Sequence, residues 1–160
     1  KTTGCGGGQT AQRLEQPQTP DLREVSLSAK AVASLLAEFM QVQDAQTTSR
    51  GVHCSAISDG EHILMLADDI GRHNTLDKLM GFILLQKPSL KPSILLTTGR
   101  ISSEMLQKSA RMGVSVVISL TSPNTFTVQL AKDWGMTLIG YARGSRFNVY
   151  SHPERFSDLG

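Results

Sequence analysis

The hydrophobic positions first become periodic at Val32. Val32, Leu35, Leu36, Phe39 and Met40 fall at i, i+3, i+4, i+7 and i+8, which is one face of a helix. Ser28, just ahead, is a good N-cap. The polar stretch Gln43–Arg50 breaks the pattern. Two short apolar runs, Val52–Ser58 and His62–Ala67, flank Asp59-Gly60, a strong hairpin signal. Leu76, Leu79, Met80, Ile83 and Leu84 return to helical spacing within Asn74–Leu85, and Pro88 and Pro92 end that segment.

From there the chain alternates. Ser93–Thr97 reads as a buried strand, Ser102–Met112 as a helix closed by Gly113, and Val114–Leu120 as a β-branched strand. Asn124–Trp134 reads as a helix opened by Ser122-Pro123 and closed by Gly135. Met136–Tyr141 and Phe147–Tyr150 read as the last strands. Strands alternating with helices imply crossover units and parallel pairing, and the hairpin adds an antiparallel edge. The expected fold is a three-layer α/β/α sandwich around a mixed, mostly parallel sheet. No internal repeat is evident. Residues 1–27 differ in kind: Gly4, Gly6, Gly7, Gly8, Pro17 and Pro20 with few apolar anchors read as a glycine-rich loop and extended arm, with a short strand at Glu24–Leu27. Residues 28–160 form the expected single domain.

Composition narrows the function classes. At 160 residues and 39% apolar, the chain is long enough to bury one core. No run approaches the ~18 apolar residues of a membrane-spanning helix. Sixteen basic against fourteen acidic residues leave a net charge of +2, too little for a nucleic-acid binder working by bulk charge. That charge is concentrated, because Arg72–Arg111 holds seven basic and only two acidic residues. Two cysteines make no disulfide framework, so a reducing cytoplasm is the expected compartment. The chain starts at Lys1 without a signal-peptide pattern, which reads either as a processed chain or as a piece of a longer protein.

In open α/β sheets, ligands bind beyond the carboxyl ends of parallel strands. Three polar clusters fall at such ends: Asp68–Asn74, Thr97–Arg100 and Ala142–Arg146. Each joins a glycine to an arginine, a pairing in which backbone amides approach an anion and a guanidinium grips it. The alternative for any one turn is a capping loop with a solvated arginine. His73 stands near a helix start, where an imidazole acts as donor or acid/base. Asp77, four residues on, either orients that imidazole or belongs to a solvated pair. Cys5, in Gly4-Cys5-Gly6-Gly7-Gly8, is either an accessible transfer thiol or an incidental loop cysteine. Cys54, on an apolar strand, reads as a packing cysteine. No Walker loop, dinucleotide fingerprint, or His-x-Glu with Pro-Cys-x-x-Cys zinc set is present.

Gly51-Val52-His53, Asp69–Lys78 (Asp-Ile-Gly-Arg-His-Asn-Thr-Leu-Asp-Lys), Thr98–Glu104, Asn148–Tyr150 and His152–Arg155 together resemble the FdhD family of formate dehydrogenase accessory sulfurtransferases. The likeness runs in order from about Thr3 to Phe156 and corresponds to the C-terminal two-thirds of a family member. It implies a cytidine-deaminase-like fold without the deaminase zinc. It also implies a sulfur carrier that takes persulfide sulfur from a cysteine desulfurase and passes it to molybdenum bis(molybdopterin guanine dinucleotide) for formate dehydrogenase, and a homodimer that an apolar strand edge would supply. By position, Cys5 matches the family's first loop cysteine and would carry the persulfide. The second falls on Gly8, which argues against a two-thiol relay. Tyr141, Ala142, Arg143, Gly144, Ser145 and Arg146 resemble the cofactor-binding segment, and Arg72, His73, Asn74, Gly99 and Arg100 would line the same pocket. Two other readings stay open: a module that binds a guanine-dinucleotide cofactor without moving sulfur, and a hydrolytic deaminase.

Overall fold

The computed structural model describes residues 22–47 and 51–159. Cys5 and the glycine run lie outside them. Helix α1 spans Ala29–Gln46, and the Ser28 hydroxyl accepts from the Ala31 amide at 3.0 Å, as the cap signal requires. The helix continues past its last buried residue, Phe39, because glutamine and alanine support a helix without packing. Strand β1 (His53–Ser58) and strand β2 (Ile63–Asp69) form the expected hairpin. Its turn is closed by Asp59 Oδ1, which accepts from the Glu61 and His62 amides at 2.9 Å each.

Helix α2 runs Arg72–Leu85, so Arg72 and His73 are its first two residues rather than loop residues. Next come β3 (Ile94–Thr97), α3 (Ser103–Arg111), β4 (Val116–Ser119), α4 (Thr125–Asp133), β5 (Thr137–Arg143) and β6 (Arg146–Val149). Ser102 caps α3 and Asn124 caps α4 through their side-chain oxygens. A short 3-10 turn covers Pro153–Arg155.

The six strands form one sheet in the order β2-β1-β3-β4-β5-β6. The sheet is mixed, but "mostly parallel" needs correcting. Only β3–β4 and β4–β5 pair in parallel, whereas β2–β1, β1–β3 and β5–β6 are antiparallel. The hairpin inserts β1 between β2 and the parallel trio, which turns two pairings antiparallel. Because β1 runs against both neighbours, β2, β3, β4 and β5 all point the same way. Their carboxyl ends share one edge of the sheet.

Side-chain alternation separates two cores. Ile57, Leu95, Val117 and Leu138 face α2, α3 and α4. Cys54, Ala56, Ile94, Leu96, Val116, Ile118 and Ile139 face Val32, Leu35, Leu36 and Phe39 of α1. The three-layer sandwich is therefore three helices, a sheet and one helix. Each fully buried leucine or phenylalanine contributes roughly 1.5–3 kcal/mol.

The strand expected at Glu24–Leu27 shrinks to one parallel bridge, Leu27 to Phe156. Leu27 is buried and Leu22 and Val25 pack against the two cores, so the arm's last residues belong to the domain. The bridge closes with Leu27 N–H to Arg155 O (2.8 Å) and Ser157 N–H to Leu27 O (2.9 Å). Arg155 anchors it by donating to Thr137 Oγ1 (2.9 Å) and Gly135 O (2.7 Å).

Candidate anion-binding cleft

A cleft of about 290 Å³ opens at the shared strand edge, lined by Arg72, Arg100, Ile101, Ser102, Ser122, Pro123 and Asn124. Three helices begin here: Arg72 is the first residue of α2, and Ser102 and Asn124 are the caps of α3 and α4. Unpaired amides at helix starts carry partial positive charge and favour anions. Two arginines strengthen the same field. The Nε of Arg72 is buried and has no hydrogen-bond partner among the described residues, a costly state unless a ligand supplies an acceptor.

Gly99 explains how Arg72 reaches the cleft. A Cβ at Gly99 would lie 3.0 Å from Arg72 Cβ and 3.4 Å from its Cδ. Glycine is needed because the arginine stem crosses there.

The other expected site residues divide. His73 Nδ1 lies 3.7 Å from Glu104 Oε2, so Glu104 of α3 faces the imidazole. Asp77 is instead paired with Lys108, Nζ to Oδ1, at 2.6 Å. Partial burial, then the Arg72 charge, push His73 below the usual imidazole range. Asn74 is exposed, and its amide donates to Asp69 Oδ1 at 2.9 Å. Asp69 also takes the Lys78 ammonium at 2.8 Å and the Gly71 amide at 2.9 Å. The Lys78 hydrogen bond, then those of Gly71 and Asn74, hold its carboxyl well below the usual range. Asn74 thus buttresses the turn before α2 and is not among the cleft's lining residues.

Tyr141–Arg146 forms the β5–β6 hairpin at the same sheet edge. Ala142 is fully buried in the α1-side core, so its side chain packs inward. Tyr141 is exposed with φ +52°, and Gly144 turns the chain at φ +58°. Arg143 and Arg146 are opposed across the two-residue turn, with Gly144 and Ser145 exposed between them. Like charges directly opposite are unfavourable. The hairpin is joined to the cleft wall by Tyr141 N–H to Thr121 O at 3.1 Å. Among the described residues, Arg72, Arg100, Arg143 and Arg146 form no ion pair, whereas Lys78 and Lys108 do. Cys5 lies outside the described residues. Cys54 is a buried free thiol near Thr47 Oγ1.

The family model of the FdhD/NarQ family matches residues 1–157. The chain belongs to this family. It is similar to the sulfur carrier protein FdhD of Bacillus subtilis (strain 168), at 38% identity over 96% of this chain and 60% of that protein. The sulfur carrier protein FdhD of Staphylococcus haemolyticus is 40% identical over 84% of this chain and 51% of its own length. A crystal structure described as a formate dehydrogenase accessory protein from Desulfotalea psychrophila superposes with a TM-score of 0.77 at 33% identity. It covers 89% of this chain and 62% of that one. The chain thus spans about half to three-fifths of the length of these relatives. Within the FdhD/NarQ fold, the cleft residues Ile101, Ser102, Ser122, Pro123 and Asn124 were not foreseen as site residues. The signal was available, since Ser102, Ser122-Pro123 and Asn124 mark helix starts that follow parallel strands. Among the described residues no three His, Cys, Asp or Glu side chains converge as metal ligands, and no helix is long and apolar enough to cross a membrane.

Proposed function

We propose that this chain is the cofactor-binding part of a sulfur carrier that serves formate dehydrogenase maturation in the cytoplasm. The observation that carries the reading is the set of four arginines, without ion pairs among the described residues, at or beside turns along one sheet edge in a chain of the FdhD/NarQ family. The cargo is molybdenum bis(molybdopterin guanine dinucleotide), whose phosphates suit this edge. Arg72 and Arg100 would hold a pyrophosphate over the starts of α2, α3 and α4. Arg143 and Arg146 would relieve their mutual repulsion on a second phosphate, with Tyr141 exposed beside them. The Arg72 Nε, buried and without a hydrogen-bond partner among the described residues, supports the fit. A cleft of about 290 Å³ sits at the lower end of small-molecule sites, enough for the phosphate part.

Cys5 would receive sulfur from a cysteine desulfurase. Its thiolate attacks the terminal sulfur of the donor persulfide, one S–S bond forms as another breaks, and the donor leaves as a thiolate. Relatives named sulfur carriers support this role. Gly8 confines it to a single thiol. A homodimer through the apolar edge strand β2, and docking to formate dehydrogenase, complete the proposal.

Intact mass after incubation with a cysteine desulfurase and cysteine tests the sulfur step. Wild type should gain one sulfur atom and Cys5→Ala none. Calorimetry with guanosine diphosphate tests the cleft, and Arg72→Met and Arg100→Met should each weaken binding. Binding without sulfur uptake would leave the cofactor-binding module alone.

A further inference from the structure

Behind the three glycine–arginine turns runs a line of hydroxyls, most of them fully buried. Thr75 Oγ1 donates to the Arg72 carbonyl at 2.6 Å and lies 2.7 Å from Ser55 Oγ. Ser55 Oγ lies 2.9 Å from Thr97 Oγ1. Thr97 Oγ1 accepts the Gly99 amide at 3.1 Å, and Ser119 Oγ donates to the Gly99 carbonyl at 2.8 Å. Ser119 Oγ lies 3.0 Å from Thr121 Oγ1 and accepts the Thr121 amide at 3.0 Å. The Thr121 carbonyl then accepts from Tyr141. Ser55, Thr75, Thr97 and Ser119 are all fully buried.

The line crosses the sheet edge from α2 through β1, β3 and β4 to β5. It meets each turn at its backbone: Arg72 on the first, both sides of Gly99 on the second, Tyr141 on the third. Hydroxyls in an apolar core are unusual unless a partner requires them. Aliphatic residues would fill these strand and helix positions at lower risk. A satisfied buried network fixes one arrangement of its members.

We propose that Thr75, Ser55, Thr97 and Ser119 are positioning residues, which hold the three arginine turns in the register that one multiply charged phosphate ligand requires. They set affinity without touching the ligand. This rests on the phosphate reading of the cleft.

The test is a double-mutant cycle with inorganic pyrophosphate as the probe, read by calorimetry on the full chain. Thr75→Val keeps the shape and removes the hydroxyl, Thr75→Ser keeps the hydroxyl, and Ser55→Ala is a second break in the line. Thr75→Val and Ser55→Ala should weaken binding on the order of tenfold, the scale of one lost buried hydrogen bond, while Thr75→Ser binds as wild type. In an Arg72→Met background the Thr75→Val effect should vanish, because there is no Arg72 guanidinium left to aim. Thermal midpoints measured alongside separate affinity from folding. An equal loss in both backgrounds, or affinity unchanged in Thr75→Val and Ser55→Ala, overturns this proposal and leaves the phosphate site standing. Failure of the wild type to bind pyrophosphate overturns the phosphate reading and the positioning role with it.

Discussion

Among the described glycines, Gly140 is the one where an added methyl group meets the closest neighbours. It lies buried in β5 against the loop that follows β4. A Cβ there would sit 2.9 Å from the Thr121 carbonyl oxygen, 2.9 Å from Tyr150 Cε2 and 3.0 Å from Pro123 Cδ. Ordinary contact begins near 3.4 Å, so Gly140→Ala must open the site by about half an ångström on several sides. The Thr121 carbonyl is held by Tyr141 N–H and the proline ring is rigid, so neither can swing aside. Overpacking costs ~1–3 kcal/mol, and the rigid partners place this case in the upper half. For a chain this long that lowers the thermal midpoint by roughly 4–12 °C. The assay is thermal unfolding followed by circular dichroism, with Gly81→Ala alongside. Gly81 lies inside α2 and an added Cβ meets nothing within 4 Å. That substitution should stabilise by ~0.5–1 kcal/mol through the helix backbone alone. A Gly140→Ala midpoint within about 1 °C of wild type would refute the packing argument, and with it the close wall between the hairpin and the cleft.

Four further outcomes follow from the same geometry. His73 should titrate below its ordinary value of 6.5 in an NMR pH series, and Glu104→Gln should lower it further by removing the facing carboxylate. The unfolded imidazole takes its proton first, so this group's contribution is complete above about pH 6.5 and stability falls as pH drops from there toward the folded value; a rise in that window would contradict it. Lys78→Met should move the Asp69 titration, followed by carboxyl carbon shifts, up toward the ordinary 3.8, because the ammonium hydrogen bond is the largest cause of its depression. Arg155→Lys loses the fork to Thr137 and Gly135 and should cost on the order of 2 kcal/mol in denaturant unfolding.

The sequence by itself determined the elements and their faces. Val32, Leu35, Leu36 and Phe39 mark one side of α1 at helical spacing, and Ser28 and Ser102 place helix starts through hydroxyl caps, whereas Asn124, expected as the first residue of its helix, is its cap. These signals are local, so no distant residue is needed to read them. The three glycine–arginine turns were legible for the same reason. Strand order was not. Whether β1 pairs with β3 is decided by which apolar edges meet, and that pairing turned a mostly parallel expectation into a sheet with more antiparallel than parallel neighbours. The site was legible only in part. Arg72 and Arg100 meet at the cleft because α2 and the β3–α3 turn pack together over Gly99. His73 turns to Glu104, Asn74 to Asp69, and Ala142 into the core, since one residue of rotation on a helix or strand redirects a side chain entirely. Ser55, Thr75, Thr97 and Ser119 looked like ordinary strand and helix residues. Only the tertiary structure joins them, because hydroxyls 20 and 42 residues apart in sequence come within hydrogen-bond reach where the starts of β1 and α2 meet the ends of β3 and β4.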